Sequence, residues 1–184
     1  MSTLNYGSVW QKAVANMAAV LDSGLHANEG LRRILELGYF TQLTSYPSPK
    51  FNDTVAAWLQ QYLVDRYDVE IDNLPNDLVE LDIVPVATIV RRGKRKLSPD
   101  LLRYAVYAMQ LRTVWPFHGE RRLDILEIGS GYGGFARTLK CFHPGARFWL
   151  TDIPESLRCA EIFLRAAFPD ATIAWQKVGD GETA

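Results

Sequence analysis

The chain has 184 residues, 20 Lys and Arg against 21 Asp and Glu, a formal charge of −1 and 48% hydrophobic residues. At roughly 100–200 residues per domain this is one domain, or one with a large extension, and its apolar content excludes wholesale disorder. The balanced charge argues against a nucleic-acid partner, and no apolar run reaches the roughly 18–20 residues of a membrane span. Two cysteines, Cys141 and Cys159, exclude a disulfide framework and a four-ligand zinc site. The N-terminus lacks the basic start and apolar run of a signal peptide, so a cytoplasmic protein is expected.

The first two-thirds reads as helices. From Val9 to Leu21, Trp10, Ala13, Val14, Met17 and Leu21 recur at helical spacing. A second helix from near Asn28 aligns Leu31, Ile34 and Leu35 and should end near Gly38. A third is expected to start at the capping residues Asn52 or Asp53 and to align Val55, Leu59, Tyr62 and Leu63. The β-branched run Ile83 to Val90, broken by Pro85, predicts a short edge strand, and the basic run Arg91 to Lys96 a solvated turn that keeps that edge from pairing. Ser98-Pro99-Asp100 is a strong helix start: a cap, a ring-fixed φ and a negative charge at the positive end of the dipole. Leu102, Ala105, Val106 and Met109 form its apolar stripe, and Pro116 should stop it.

The pattern changes at Leu123. Leu123 to Ile128 reads as a strand, a helix is expected from about Gly133 to Cys141, and Arg147 to Asp152 reads as a second strand. A helix then runs from Pro154 to about Phe168, and Ala171 to Trp175 is expected as a third strand. The order β-α-β-α-β implies parallel strands with right-handed crossovers. The organisation is thus a helical region over 1–118 followed by the first half of a Rossmann-like parallel sheet over 119–184, an α/β fold.

Between the first strand and its helix lies Gly129-Ser130-Gly131-Tyr132-Gly133-Gly134. Such a turn brings backbone N–H groups and a helix N-terminus to a ligand, and glycine recurs where a side chain would block the approach. Gly129, Gly131 and Gly134 fit the dinucleotide spacing; Glu127, Gly129, Gly131 and Gly133 fit the first motif of S-adenosylmethionine enzymes. Both want an acid at the end of the next strand for ribose hydroxyls, and Asp152 stands there. Glu127 separates them. A carboxylate there repels a pyrophosphate, whereas S-adenosylmethionine carries an ammonium and a sulfonium that welcome it. The ligand's own carboxylate can meet the helix N-terminus.

At Ile125-Leu-Glu-Ile-Gly-Ser-Gly-Tyr-Gly-Gly-Phe-Ala-Arg137, Leu150-Thr-Asp-Ile-Pro-Glu-Ser-Leu157 and Cys159 to Leu164, the sequence resembles a family of sugar O-methyltransferases within the class I methyltransferases. Leu97 to Ala105 also resembles that family's helix leading into the domain; the likeness spans about residues 98–168 and is loose before it. The resemblance implies S-adenosylmethionine bound by Glu127, the glycine loop (Gly129, Ser130, Gly131, Gly133) and Asp152, with Ile153 beside the adenine. It implies methyl transfer to a hydroxyl of a sugar or glycoside. It also implies a seven-stranded sheet, of which only the first three strands are accounted for. The first strand is apolar on both faces, as a central parallel strand should be, and would be left with an open edge. The expectation is therefore a fragment, or a half-domain completed by an oligomer partner or companion chain. A nicotinamide-dependent oxidoreductase and a non-catalytic binding module remain open as alternatives.

No catalytic base is identified, and no carboxylate–histidine cluster suggests a metal. His26, His118 and His143 are scattered and read as loop or surface residues. Cys141 and Cys159 read as small core residues, and the tryptophans at 10, 58, 115, 149 and 175 as core; Tyr104 reads as a packing residue, while the resemblance would set its helix near the cofactor.

Overall fold

A computed structural model describes residues 8–40, 49–85, 90–92, 95–114 and 123–176. Helix α1 (Ser8–Leu21) buries Ala13 and Met17 one turn apart, and α2 (Ala27–Glu36) buries Leu31, Ile34 and Leu35 against it. Gly38, at φ +74°, then turns the chain, a conformation that costs glycine little. Helix α3 (Pro49–Tyr67) starts before the expected caps, and Asn52 lies buried inside it. A proline fits the first helical position as well as a polar cap fits the one before it.

Most of the basic run is strand rather than turn, and residues 93–94 between the strands lie outside the described residues. Strands β1 (Val90–Arg92) and β2 (Arg95–Leu97) pair antiparallel through it. Arg95 donates to the carbonyls of Ile71 and Leu74 and to Asn76 Oδ1, each at 2.7 Å, so its charge clips a loop in place. Ile83 and Val84 lie in a turn, and only Val90 of the expected edge strand joins a ladder; residues 86–89 fall outside the described chain.

Helix α4 (Pro99–Val114) begins as expected: the Ser98 hydroxyl accepts the Leu101 amide at 3.0 Å, and buried Asp100 pairs with Arg103 at 2.8 Å. Its stripe of Leu102, Ala105, Val106 and Met109 is buried. Pro116 and His118 fall outside the described residues.

Strands β3 (Asp124–Ile128) and β4 (Arg147–Thr151) pair in parallel, Asp124 opposite Arg147 and Ile128 opposite Thr151, with α5 (Gly134–Phe142) between them and α6 (Pro154–Ala167) after. The fold is thus mixed helix and strand with a small parallel sheet. The expected third strand does not form: residues 171–176 have no regular structure. That segment is tied to α6, where Trp175 Nε1 donates to Glu161 at 2.6 Å and Arg165 donates to the Ile173 carbonyl at 3.3 Å. No helix among the described residues is long and apolar enough to cross a membrane.

Two apolar clusters tie the regions on either side of residue 118 together. One gathers α3, α4, Ile71, Leu74, Leu78 and Leu97 around Cys141; the other gathers Met17, Leu31, Ile34 and Leu35 around Tyr132, Cys159 and Phe163. Arg137 of α5, itself buried, donates to the carbonyls of Asp77 and Val79. Both cysteines are buried as expected, and burial pushes the Cys159 thiol up to about 12 and raises that of Cys141.

The tryptophans correct the sequence reading. Trp10, Trp58, Trp149 and Trp175 are all exposed, and Trp115 lies outside the described residues. Helix α2 meets α1 near Val20, away from Trp10, and α3 packs on α4 through Ala56, Leu59 and Leu63 rather than Trp58. Trp149 shares a bare sheet face with Leu126 (65% exposed) and Ile128 (80% exposed). On the opposite face Ile125, Glu127, Phe148 and Leu150 are half-buried. Both faces of β3 carry apolar residues, as expected, but among the described residues only one is covered.

Candidate functional site

The site is built where β3 gives way to α5. The Gly129 amide extends the parallel ladder to the Thr151 carbonyl at 2.8 Å, and the chain then turns through Gly129, Gly131 and Gly133 at φ +74°, +55° and +85°. All three are in the left-handed region, where an L side chain is strained.

The glycines differ in what surrounds them. A Cβ at Gly129 would meet nothing within 4 Å, so open space lies over this residue. A Cβ at Gly131 would lie 3.5 Å from Phe40 Cδ1. At Gly133 it would press on Leu164 and Ala160 of α6 at 3.3–3.4 Å. At Gly134 it would stand 2.7 Å from Tyr104 Cε2 and Tyr132 Oη. Gly133 and Gly134 thus let α5 pack against α6 and α4, and both are needed whichever spacing pattern is applied. Spacing alone does not choose between the two patterns.

The carboxylates differ in what they hold. Asp152, half-buried just after β4, accepts the Gly131 amide on Oδ2 and the Ile153 amide on Oδ1, both at 2.7 Å. Two of its roughly four lone-pair sites are used, and the others are left for a ligand hydroxyl. Glu127 lies on the helix-covered face of β3 and accepts the Ala136 backbone amide in the first turn of α5. Burial pushes its carboxyl up to about 7; the Ala136 amide pulls it down, and the Asp152 carboxylate adds to the rise. A protein carboxylate therefore already engages an amide at the helix end where a ligand anion was expected. Above about pH 7, where this carboxyl is ionised, a pyrophosphate approaching it would meet like charge.

Two buried atoms bracket Gly129 without a hydrogen-bond partner among the described residues: Glu127 Oε2 and Ser130 Oγ. Buried polar atoms are normally satisfied, and this pair joins Arg103 Nε and Arg137 Nε as exceptions among the described residues. Ile153 is half-buried, precedes the first residue of α6 and packs on the second cluster.

Tyr132 and Tyr104 are packed among other aromatic rings. Tyr132 packs edge-on to Phe163 at 4.9 Å, and Tyr104 lies 5.9 Å from Phe135. The two hydroxyls hydrogen-bond to each other, and burial holds both phenols above their ordinary range. Tyr104 is a packing residue, as its helical position suggested. Phe40 was missed: it lies beyond α2, and nothing local signals contact with a turn some ninety positions on. His26 and His143 lie outside the site, and no group of three His, Cys, Asp or Glu suited to a metal occurs among the described residues. A scan against protein-family models and searches of curated proteins and of solved structures return no match to this chain.

Proposed function

We propose that the chain carries the cofactor-binding half of an S-adenosylmethionine-dependent methyltransferase with a Rossmann-like fold, acting on a hydroxyl of a sugar or glycoside. The observation that carries the reading is the pair of carboxylates on the glycine turn, with Glu127 already on the first turn of α5. This is a setting for a cation, and it is unfavourable for a dinucleotide's phosphates.

The residues present fit the cofactor. Glu127 Oε2 and Ser130 Oγ are buried acceptors in need of a partner, and the space over Gly129 is open. Asp152 would hold the ribose hydroxyls, Glu127 and Ser130 the amino-acid end, the turn at Gly129 and Gly131 would admit close approach, and Ile153 would border the adenine. Gly133 serves the site indirectly by seating α5 on α6. Bound there, S-adenosylmethionine supplies an electrophilic methyl group on sulfur. The chain's own contribution is alignment, which is worth several kcal/mol when two reactants are held in line. Deprotonation of the acceptor hydroxyl needs a base, and the described residues do not identify it.

Calorimetric titration tests the reading. S-adenosylmethionine is expected to bind and NAD to give no heat, and Asp152→Asn is expected to weaken binding about tenfold or more. Binding of NAD in preference would overturn the proposal in favour of an oxidoreductase.

The bare face of β3 and β4 favours one extension of this reading: a companion chain covers that face and brings the base. Methylation of a glycoside by this chain alone would overturn that extension and leave cofactor binding intact.

A further inference from the structure

We propose that Phe40, which belongs to the helical part of the chain, forms one wall of the glycine-turn site and touches the bound S-adenosyl ligand; this rests on the methyltransferase reading above. The ring lies in van der Waals range of the turn, since a Cβ on Gly131 would be 3.5 Å from Phe40 Cδ1. Two residues earlier, a Cβ on Gly129 would find nothing within 4 Å. The ring thus stands beside Gly131, two residues along the turn from the open space over Gly129.

The ring's placement is specified by several contacts. Gly38 at φ +74° turns the chain out of α2. The Tyr39 hydroxyl accepts Asn16 Nδ2 at 2.8 Å and anchors this turn to α1. The Phe40 ring is tilted 55° to that of Tyr132 at 6.0 Å, so it rests on the one large side chain of the turn itself. Yet Phe40 is only half-buried, and part of its surface stays available.

A wall of this kind acts in two ways. Covering the remaining ring surface with ligand is favourable in proportion to the apolar area removed from water. Excluding water also lowers the local dielectric around Asp152 and Glu127 and strengthens their attraction for a cation. The site is then assembled from both regions of the chain, and binding requires the helical pair α1–α2 to be docked.

Titration of S-adenosylmethionine and S-adenosylhomocysteine into the wild type, Phe40→Ala and Phe40→Leu tests this. Truncation to Ala is expected to weaken both ligands about tenfold, and Leu, which keeps an apolar wall, to stay within about threefold of wild type. A packing role alone would not give contact with ligand, so nuclear Overhauser effects between the Phe40 ring protons and the wild-type-bound ligand are the second readout. They also decide the matter if Phe40→Ala fails to fold. Wild-type binding with no such effect, or with Phe40→Ala within about twofold of wild type, overturns this inference alone. Failure of the wild type to bind either ligand overturns the methyltransferase reading together with it.

Discussion

Glu127→Gln is expected to raise the stability of the unliganded chain at pH 8 by about 2 kcal/mol and to leave it unchanged near pH 4. Burial lifts the Glu127 carboxyl from the ordinary 4.5 to about 7, so the folded chain holds this proton more tightly than the unfolded one. For an acid raised in this direction, the stabilising contribution is complete below the unfolded value and is lost as pH climbs through the folded one. The loss falls between about pH 4.5 and pH 8, with a ceiling of about 3 kcal/mol that partial solvent contact reduces. Glutamine is neutral throughout and can still accept the Ala136 amide, so it escapes the penalty. Urea unfolding of both proteins at several pH values checks this, and a pH-independent difference would contradict it. The same substitution is expected to weaken S-adenosylmethionine at least tenfold at pH 8, because the ligand's positive charge loses its carboxylate partner. Gain of stability with loss of binding is the pattern of a residue retained for its site at the fold's expense.

Gly134→Ala is expected to cost about 2–3 kcal/mol, although alanine favours a helix over glycine. The new methyl would stand 2.7 Å from Tyr104 Cε2 and Tyr132 Oη and 2.8 Å from Tyr132 Cζ. Neither ring can easily give way. Tyr132 is wedged between Phe163 and Phe40 at 4.9 and 6.0 Å, and Tyr104 between Phe135 at 5.9 Å and the Arg103 guanidinium at 5.1 Å. Overpacking of this kind is relieved only by off-rotamer side chains or backbone shifts. Gly145→Ala is the control: nothing lies within 4 Å of its would-be Cβ, and the change should stay within about 0.5 kcal/mol. Thermal denaturation of the two variants compares them directly, and equal midpoints would show that the tyrosines yield.

What was legible in the sequence was local. Ser98-Pro99-Asp100 announced α4 because capping is settled within one turn, and the glycine turn announced itself because three left-handed residues in five positions have few other uses. Ala171–Trp175 misled because its alternation suits a strand, yet a strand also needs an edge to join, and Glu161 and Arg165 hold the segment elsewhere. The tryptophans misled for a related reason: an apolar stripe says which residues seek cover and leaves open whether cover exists. At the site, motif spacing put Glu127 and Asp152 at the ends of consecutive strands, as the structure has them. The occupation of the α5 first turn by Glu127, the packing duties of Gly133 and Gly134, and the approach of Phe40 were not legible, since each depends on an element distant in sequence.

The two-stranded parallel ribbon carries a consequence for the molecule in bulk. Among the described residues no further strand pairs with its margins, and one side of it exposes Ile128, Leu126 and Trp149. With a formal charge of only −1, there is almost no long-range repulsion to keep molecules apart. Concentration is thus expected to set this protein's state of association, a dependence that light scattering across a dilution series would read.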